Sequence, residues 1–238
     1  MKMCAHPDKP ARARPGPPMS KREANKAEKL LRIRHAAQEL FEQRGYDDTT
    51  MREIARQAKV ALGTLFLYAS NKRDLLFLIA NETMEEAVSQ AARLCSADHG
   101  LIDNFMTLTI LHLRIFGRQP ALFRLVLREL LFYDSGEQGR RATRNRARML
   151  ELIANWVAAA EGCGEIDLPQ PPDFIAWMLF SVMQAELRRW IALEEQDLED
   201  GIRHCWAAAA LLLNGFARAP VAADAGRGDI ERLAALTS

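Results

Sequence analysis

Along most of the chain apolar residues recur at three- and four-residue intervals, the period of a helix with one buried face. From Asn25 to Gly45 those positions are Leu30, Ile33, Ala37, Leu40 and Phe41, and Gly45 supplies a stop. Thr50 and Glu53 have the spacing of a capping box, which opens a short helix with Met51, Ile54, Ala55 and Ala58 on its apolar side. After a break at Lys59 and Val60 a second short helix is predicted over Ala61–Tyr68, and Asn71 caps the next, from Lys72 to about Leu94. Further helices are predicted at about 101–118, 121–133, 138–161, 173–195 and 199–216. Gly117, Pro120, the Ser135-Gly136 pair, the loop at Gly162–Gly164 and the Pro169–Pro172 cluster punctuate them. No segment alternates with a period of two, so the predicted fold class is all-α. It consists of an N-terminal unit of three helices, the second and third of them short, and a larger C-terminal helical unit.

The divisions follow composition. Residues 1–22 hold five prolines, six basic residues and one acid and are read as a disordered basic arm. Met19 near its end offers an alternative translation start. Residues 23–78 form the helix-turn-helix domain, 79–217 the larger helical domain, and the Ala- and Gly-containing stretch 218–238 a loose tail.

Formal net charge is +1, yet residues 1–78 carry 16 Lys and Arg against 9 Asp and Glu, and the remainder 16 against 22. A basic front on an acidic back is the footprint of a chain that presents one end to a polyanion. The basic front has few bulky apolar residues before position 30, which disfavours a membrane surface as that polyanion. The longest apolar run is the nine residues Cys205–Leu213, well short of the roughly 18–20 a bilayer span requires. With no apolar leader either, a cytoplasmic location is expected. Cys4, Cys95, Cys163 and Cys205 are scattered, which argues for reduced thiols and against a metal cluster. No HExxH, P-loop, glycine-rich dinucleotide turn or nucleophile elbow is present, so neither catalytic residues nor a cofactor are expected.

Two short helices separated by a tight break and backed by a longer one describe a helix-turn-helix. Ala55 is small where the pair must cross, and Ile54, Val60 and Leu65 are apolar where the unit needs a core. An αα-hairpin that only packs has the same generic spacing. The stretch from Thr49 to Leu76, TTMREIARQAKVALGTLFLYASNKRDLL, closely resembles the N-terminal domain of the tetracycline-repressor (TetR) family of transcriptional regulators, and the preceding AAQELFEQRGYDDTT fits that family's first helix and its exit. The resemblance covers about residues 30–78.

It implies that double-stranded DNA is a partner. Thr50 and Arg52 would lie near the DNA backbone, and Ala61, Leu62, Gly63, Thr64, Phe66, Leu67 and Tyr68 would belong to the recognition helix. Lys72 would contact phosphate from a helix N-terminus. Four positions depart from the family pattern. Phe66 replaces a common Tyr, Ala69 a common Phe, and Lys59 the usual turn Gly. Leu67 stands where a basic or polar reader is frequent and leaves at most an apolar contact, for example with a thymine methyl. Phosphate contacts and DNA shape are therefore expected to carry much of the binding, with Lys21, Arg22, Lys26 and Lys29 as further cations leading into the first helix.

In the larger domain the segments FIAWMLFSVMQAELRRWIAL and CWAAAALLLNGF suit a four-helix interface between two copies, and they would equally suit burial within one. Phe105, His112, Phe116, Phe123, Trp156, Trp177, Met183 and Glu186 are candidates for an effector site, each also explicable as ordinary core or rim. The five arginines between Arg140 and Arg148 fit either an anion site or a solvated helix face. The resulting expectation is a homodimeric repressor that binds a near-palindromic operator and responds to an unknown small molecule. An all-α carrier or enzyme and a non-specific architectural DNA-binding protein are the alternatives.

Overall fold

In the computed structural model, which describes residues 20–96, 99–130, 136–167 and 170–215 with Gly228, Glu231, Arg232 and Ala235, the first helix α1 (Lys21–Arg44) opens on a capping box. The Ser20 hydroxyl accepts from Glu23 N–H while the Glu23 carboxylate accepts from Ser20 N–H. This takes Lys21 and Arg22 into the helix, earlier than the apolar periodicity alone predicts, because the cap lies upstream of the first buried residue. The rest of the expected arm, and most of the expected tail, fall outside the described residues. Of the tail, Gly228, Glu231, Arg232 and Ala235 are helical, and Arg232 pairs with Asp103 at 2.8 Å.

Helix α1 ends at Gly45, whose φ of +85° is readily adopted only without a side chain. The predicted Thr50–Glu53 capping box opens α2 (Met51–Gln57), and Lys59 takes the expected left-handed turn position at φ +54°. Helix α3 (Leu62–Phe66) is shorter than the predicted Ala61–Tyr68. Ala61 caps it without a side-chain bond, and its last turn tightens as Leu67 and Tyr68 N–H donate three residues back, to Thr64 and Leu65. Ile33, Ala37 and Leu40 of α1, Ile54 and Ala55 of α2 and Leu65 of α3 are all buried in the core around which these helices pack.

Asn71 caps α4 (Lys72–Leu94) by accepting from Asp74 N–H at 2.8 Å, and this helix runs from the N-terminal unit into the larger body. There follow α5 (Leu101–Arg118), α6 (Pro120–Leu130), α7 (Gly136–Cys163), α8 (Pro172–Ala192) and α9 (Leu198–Leu213), and no strand occurs among the described elements. Helix α4 packs most extensively on α7, α7 on α8, and α5 on α9. Trp190 sits in that last crossing with its indole N–H donated to Asp197 O at 2.6 Å. A β-carbon on Gly201 would lie 2.9 Å from the indole nitrogen, so α9 approaches this closely because the residue is glycine. No helix among the described residues is long and apolar enough to cross a membrane.

Candidate nucleic-acid interface and effector cleft

The N-terminal unit turns one polar, cationic side outward. Arg52 and Gly63 are exposed and Thr64 is half-buried, while Leu65 beneath them is fully buried. Lys21, Arg22, Lys26 and Lys29 of α1 line one open groove with Thr64, Leu67 and Tyr68. The Tyr68 hydroxyl donates across it to Lys26 O at 3.3 Å, which fixes α1 against the end of α3. Phe66 and Leu67 stand out as large apolar side chains that the fold leaves in water, at 47% and 84% exposure.

Two of the sequence-predicted DNA residues have internal duties. The Thr50 hydroxyl and N–H both donate to the Glu53 carboxylate, at 2.8 and 2.9 Å, so they are spent on opening α2. Lys72 donates from Nζ to Tyr46 O at 2.6 Å and Asp47 O at 3.0 Å, with the Tyr46 ring centroid 4.5 Å away. That leaves one of its three N–H bonds to face outward and makes it a clamp on the α1–α2 loop. Ala61, Leu62 and Ala69 offer no hydrogen-bonding side chain, and Ala69 is buried.

In the larger body, the eight candidate effector residues are not gathered in one place. Phe105, His112, Phe116, Phe123 and Met183 are almost wholly buried, as is Trp156, and Phe116 and Phe123 stack at 4.3 Å. His112 donates from Nδ1 to Leu108 O at 2.8 Å, leaving Nε2 buried without a partner, and burial pulls its pKa below the ordinary value. Glu186 accepts from Arg189 at 2.7 Å. Trp177, half exposed beside Phe180, is the one of the eight that lines the cleft described next.

That cleft lies where α4, α7 and α8 meet the end of α6. Its narrow inner part, a cavity of about 20 Å³, is walled by Met84, Met149 and Phe180, with Asn81, Asn145 and Gln184 among them. Its outer part, of about 230 Å³, is bounded by Trp177, Arg146 and Arg188. The amide oxygens of Asn145 and Gln184 are buried and accept no hydrogen bond, a costly state that a ligand donor would relieve. Neither Arg146 nor Arg188 has a carboxylate within 4.0 Å among the described residues, and desolvation lowers the Arg188 pKa. Three other arginines of this stretch differ: Arg140 and Arg144 reach Glu137, and Arg141 pairs with Glu85 through two bonds of 2.6 Å. Of this set the sequence pointed to Trp177 and, within the run of five arginines, to Arg146, but not to Asn145, Gln184 or Arg188, although these too carry a signal. Ala142, Asn145, Arg146 and Met149 share one helical face, as do Trp177, Phe180, Gln184 and Arg188, with two polar residues on each otherwise apolar stripe.

Helix α4 joins the two regions. Asn81 and Met84 line the cleft, and about two turns earlier Asp74 accepts from Ser70 N–H and Oγ–H, at 2.8 and 3.1 Å, and from Gln138 N–H at 3.3 Å. Asn81 in turn donates to Gln138 O at 2.9 Å. The first turn of α7 is therefore held by α4 directly behind the turn that follows α3.

Comparison with known proteins agrees with this arrangement. The family described as bacterial regulatory proteins, tetR family, matches residues 33–79. The fatty acid metabolism regulator protein of Bacillus subtilis is 37% identical over 65 residues, 27% of this chain, and the chain spans only 34% of that relative's length. Among solved structures, FadR of Thermus thermophilus, a TetR-family transcriptional repressor in complex with lauroyl-CoA, superposes with a TM-score of 0.63 at 24% identity, over 83% of this chain and 100% of that one. FadR of Bacillus subtilis in complex with stearoyl-CoA gives 0.62 at 20%, over 78% and 98%. These structural likenesses establish a shared fold over about four-fifths of the chain, and the residues that resemble the tetR family of bacterial regulatory proteins are those that supply α2, α3 and their supports.

Proposed function

We propose that the protein is a homodimeric transcriptional repressor that reads a near-palindromic operator and releases it on binding an amphipathic anion of the long-chain acyl-CoA class. The observation that carries the effector assignment is the cleft itself, in which, among the described residues, two buried amide oxygens without donors lie between an apolar floor and two arginines with no carboxylate within 4.0 Å. An acyl chain suits Met84, Met149 and Phe180, amide or hydroxyl donors suit Asn145 and Gln184, and phosphate suits Arg146 and Arg188. The acyl-CoA complexes of the two FadR structures support the same class.

DNA binding falls to the outward side of α2 and α3, with Arg52, Thr64, the remaining donor of Lys72 and the cations of α1 on phosphates and base edges. Two copies pair through α8 and α9, which leave Phe174 at 49% and Leu211 at 79% exposure in one chain. Because the inner cleft is narrow, a ligand must part α7 from its neighbours, and the Asp74–Gln138 and Asn81–Gln138 bonds pass that displacement to α4 and to the turn after α3. Differential affinity for the parted and closed forms then sets how far DNA binding weakens.

The test is a footprint on DNA upstream of the protein's own gene, with random DNA competing at near-physiological salt. A protected near-palindrome that lauroyl-CoA releases, and that an Arg146→Ala/Arg188→Ala variant still binds but no longer releases, is the expected result. Equal competition by random DNA would overturn the regulator reading, and release undiminished in the double variant would overturn the cleft assignment.

A further inference from the structure

We propose that Phe66 and Leu67 read thymine methyl groups in the major groove, so that operator recognition by this protein is largely a recognition of methyls. The inference rests on the DNA-binding role proposed above and adds the chemistry by which the sequence is read.

Among the described residues neither side chain belongs to the hydrophobic core or packs against it. Leu65, one residue away, is fully buried in the core, whereas Leu67 is 84% and Phe66 47% exposed. What lies around Leu67 identifies the occupant. The groove that it lines is bounded by Lys21, Arg22, Lys26 and Lys29, a rim that draws in a polyanion. An apolar tip inside a cationic rim matches a duplex edge, where phosphates lie outside and the only apolar group on any base is the thymine 5-methyl.

The hydrogen-bonding capacity of α3 points the same way. Ala61, Leu62 and Gly63 have no polar side-chain atom, and the Tyr68 hydroxyl is donated to Lys26 O, which leaves the Thr64 hydroxyl as the reader on this helix. One hydroxyl distinguishes bases poorly because it both donates and accepts. A methyl held against Leu67 or Phe66 does distinguish, since cytosine, guanine and adenine present nothing equivalent.

The experiment begins with selection of binding sites from a randomised duplex pool by the full-length protein at near-physiological salt. The expected product has two half-sites with thymine fixed at symmetric positions. Each such thymine is then replaced by deoxyuridine, which removes the methyl and preserves base pairing and groove hydrogen bonds. Affinity should fall about fourfold per methyl, the transfer value of one buried carbon, and more than tenfold for a symmetric pair. Placing 5-methylcytosine rather than cytosine at the same position should recover a similar factor. Leu67→Ala should bind the thymine site more weakly and lose the discrimination against uracil at the positions that Leu67 meets, and Leu67→Ala/Phe66→Ala should lose it at every fixed thymine. Because Leu67 lies outside the core, the Leu67→Ala variant keeps its fold, checked by an unchanged urea denaturation midpoint. A selected palindrome without fixed thymines, or one bound equally with uracil, would overturn the methyl inference while leaving the DNA-binding role intact. Failure of the pool to enrich any sequence would overturn that role and the inference together.

Discussion

Replacing Asp74 by Asn should separate the two parts of the molecule while leaving each nearly whole. The native carboxylate is 4% exposed; Oδ2 accepts from Ser70 N–H and Oγ–H, and Oδ1 accepts from Gln138 N–H. Asparagine has one acceptor oxygen, and the two bonds to Ser70 are shorter than the one to Gln138, so the oxygen turns to Ser70 and the NH₂ group meets the Gln138 N–H. Donor then faces donor at the start of α7, where helix N–H groups lack partners of their own. A buried donor left unpaired costs about 1–3 kcal/mol, and losing a negative charge near a helix N-terminus costs about 0.5 kcal/mol more. The expected loss for Asp74→Asn is therefore about 2 kcal/mol. Asp74→Ala strands Ser70 N–H, Ser70 Oγ–H and Gln138 N–H together and should lose about 4 kcal/mol. Urea denaturation followed by tryptophan fluorescence at fixed protein concentration measures both. In parallel, anisotropy of labelled operator with and without lauroyl-CoA should show the ligand-induced weakening reduced by more than the affinity itself. Asp74→Asn within about 0.5 kcal/mol of wild type would refute the claim that this carboxylate holds α7 to α4, since single surface substitutions already scatter that much.

Three other outcomes are expected. Lys59→Gly should stabilise the protein by about 0.5 kcal/mol, because relief of roughly 1 kcal/mol of left-handed strain at φ +54° outweighs the added freedom of an unfolded glycine, whereas Lys59→Ala should not; thermal denaturation of the two variants decides it. His112 is held neutral by burial, so its folded pKa lies below its unfolded value of 6.5 and the unfolded chain binds the extra proton. Stability should be steady above that pH and fall by up to about 1.4 kcal/mol per unit below it, and His112→Leu should remove that share of the slope in pH-dependent unfolding. Changing Lys21, Arg22, Lys26 and Lys29 together to Gln should reduce the salt dependence of operator binding, the log–log slope falling by about 0.9 for each phosphate that is no longer neutralised. An unchanged slope would mean that the α1 groove does not meet the DNA backbone.

The helices and their starts were legible in the sequence wherever the controlling contacts are local. Thr50 with Glu53 and Asn71 with Asp74 act across three residues, and the predicted starts at Met51 and Lys72 are where the structure has them. Lys59 could be expected at positive φ because the tight turn demands it of whatever residue stands there. Ser20 and Glu23 carried the same kind of signal for α1, overlooked only because no buried residue adjoins them.

What the tertiary structure alone decided depends on pairing between distant segments. Phe105, Phe116 and Phe123 have the composition of a ligand pocket and are solid core, while Asn145 and Gln184 look like ordinary polar residues until α7 and α8 bring them to one cleft. Lys72 stands at the predicted phosphate position, but Tyr46 and Asp47, some 25 residues earlier, take two of its donors. The first turn of α7 donates a hydrogen bond, from Gln138 N–H, to Asp74, 64 residues away. Periodicity and capping report which face of a helix is apolar and where it begins. Which buried group finds a partner, and which is left waiting for one, is fixed only when the helices pack.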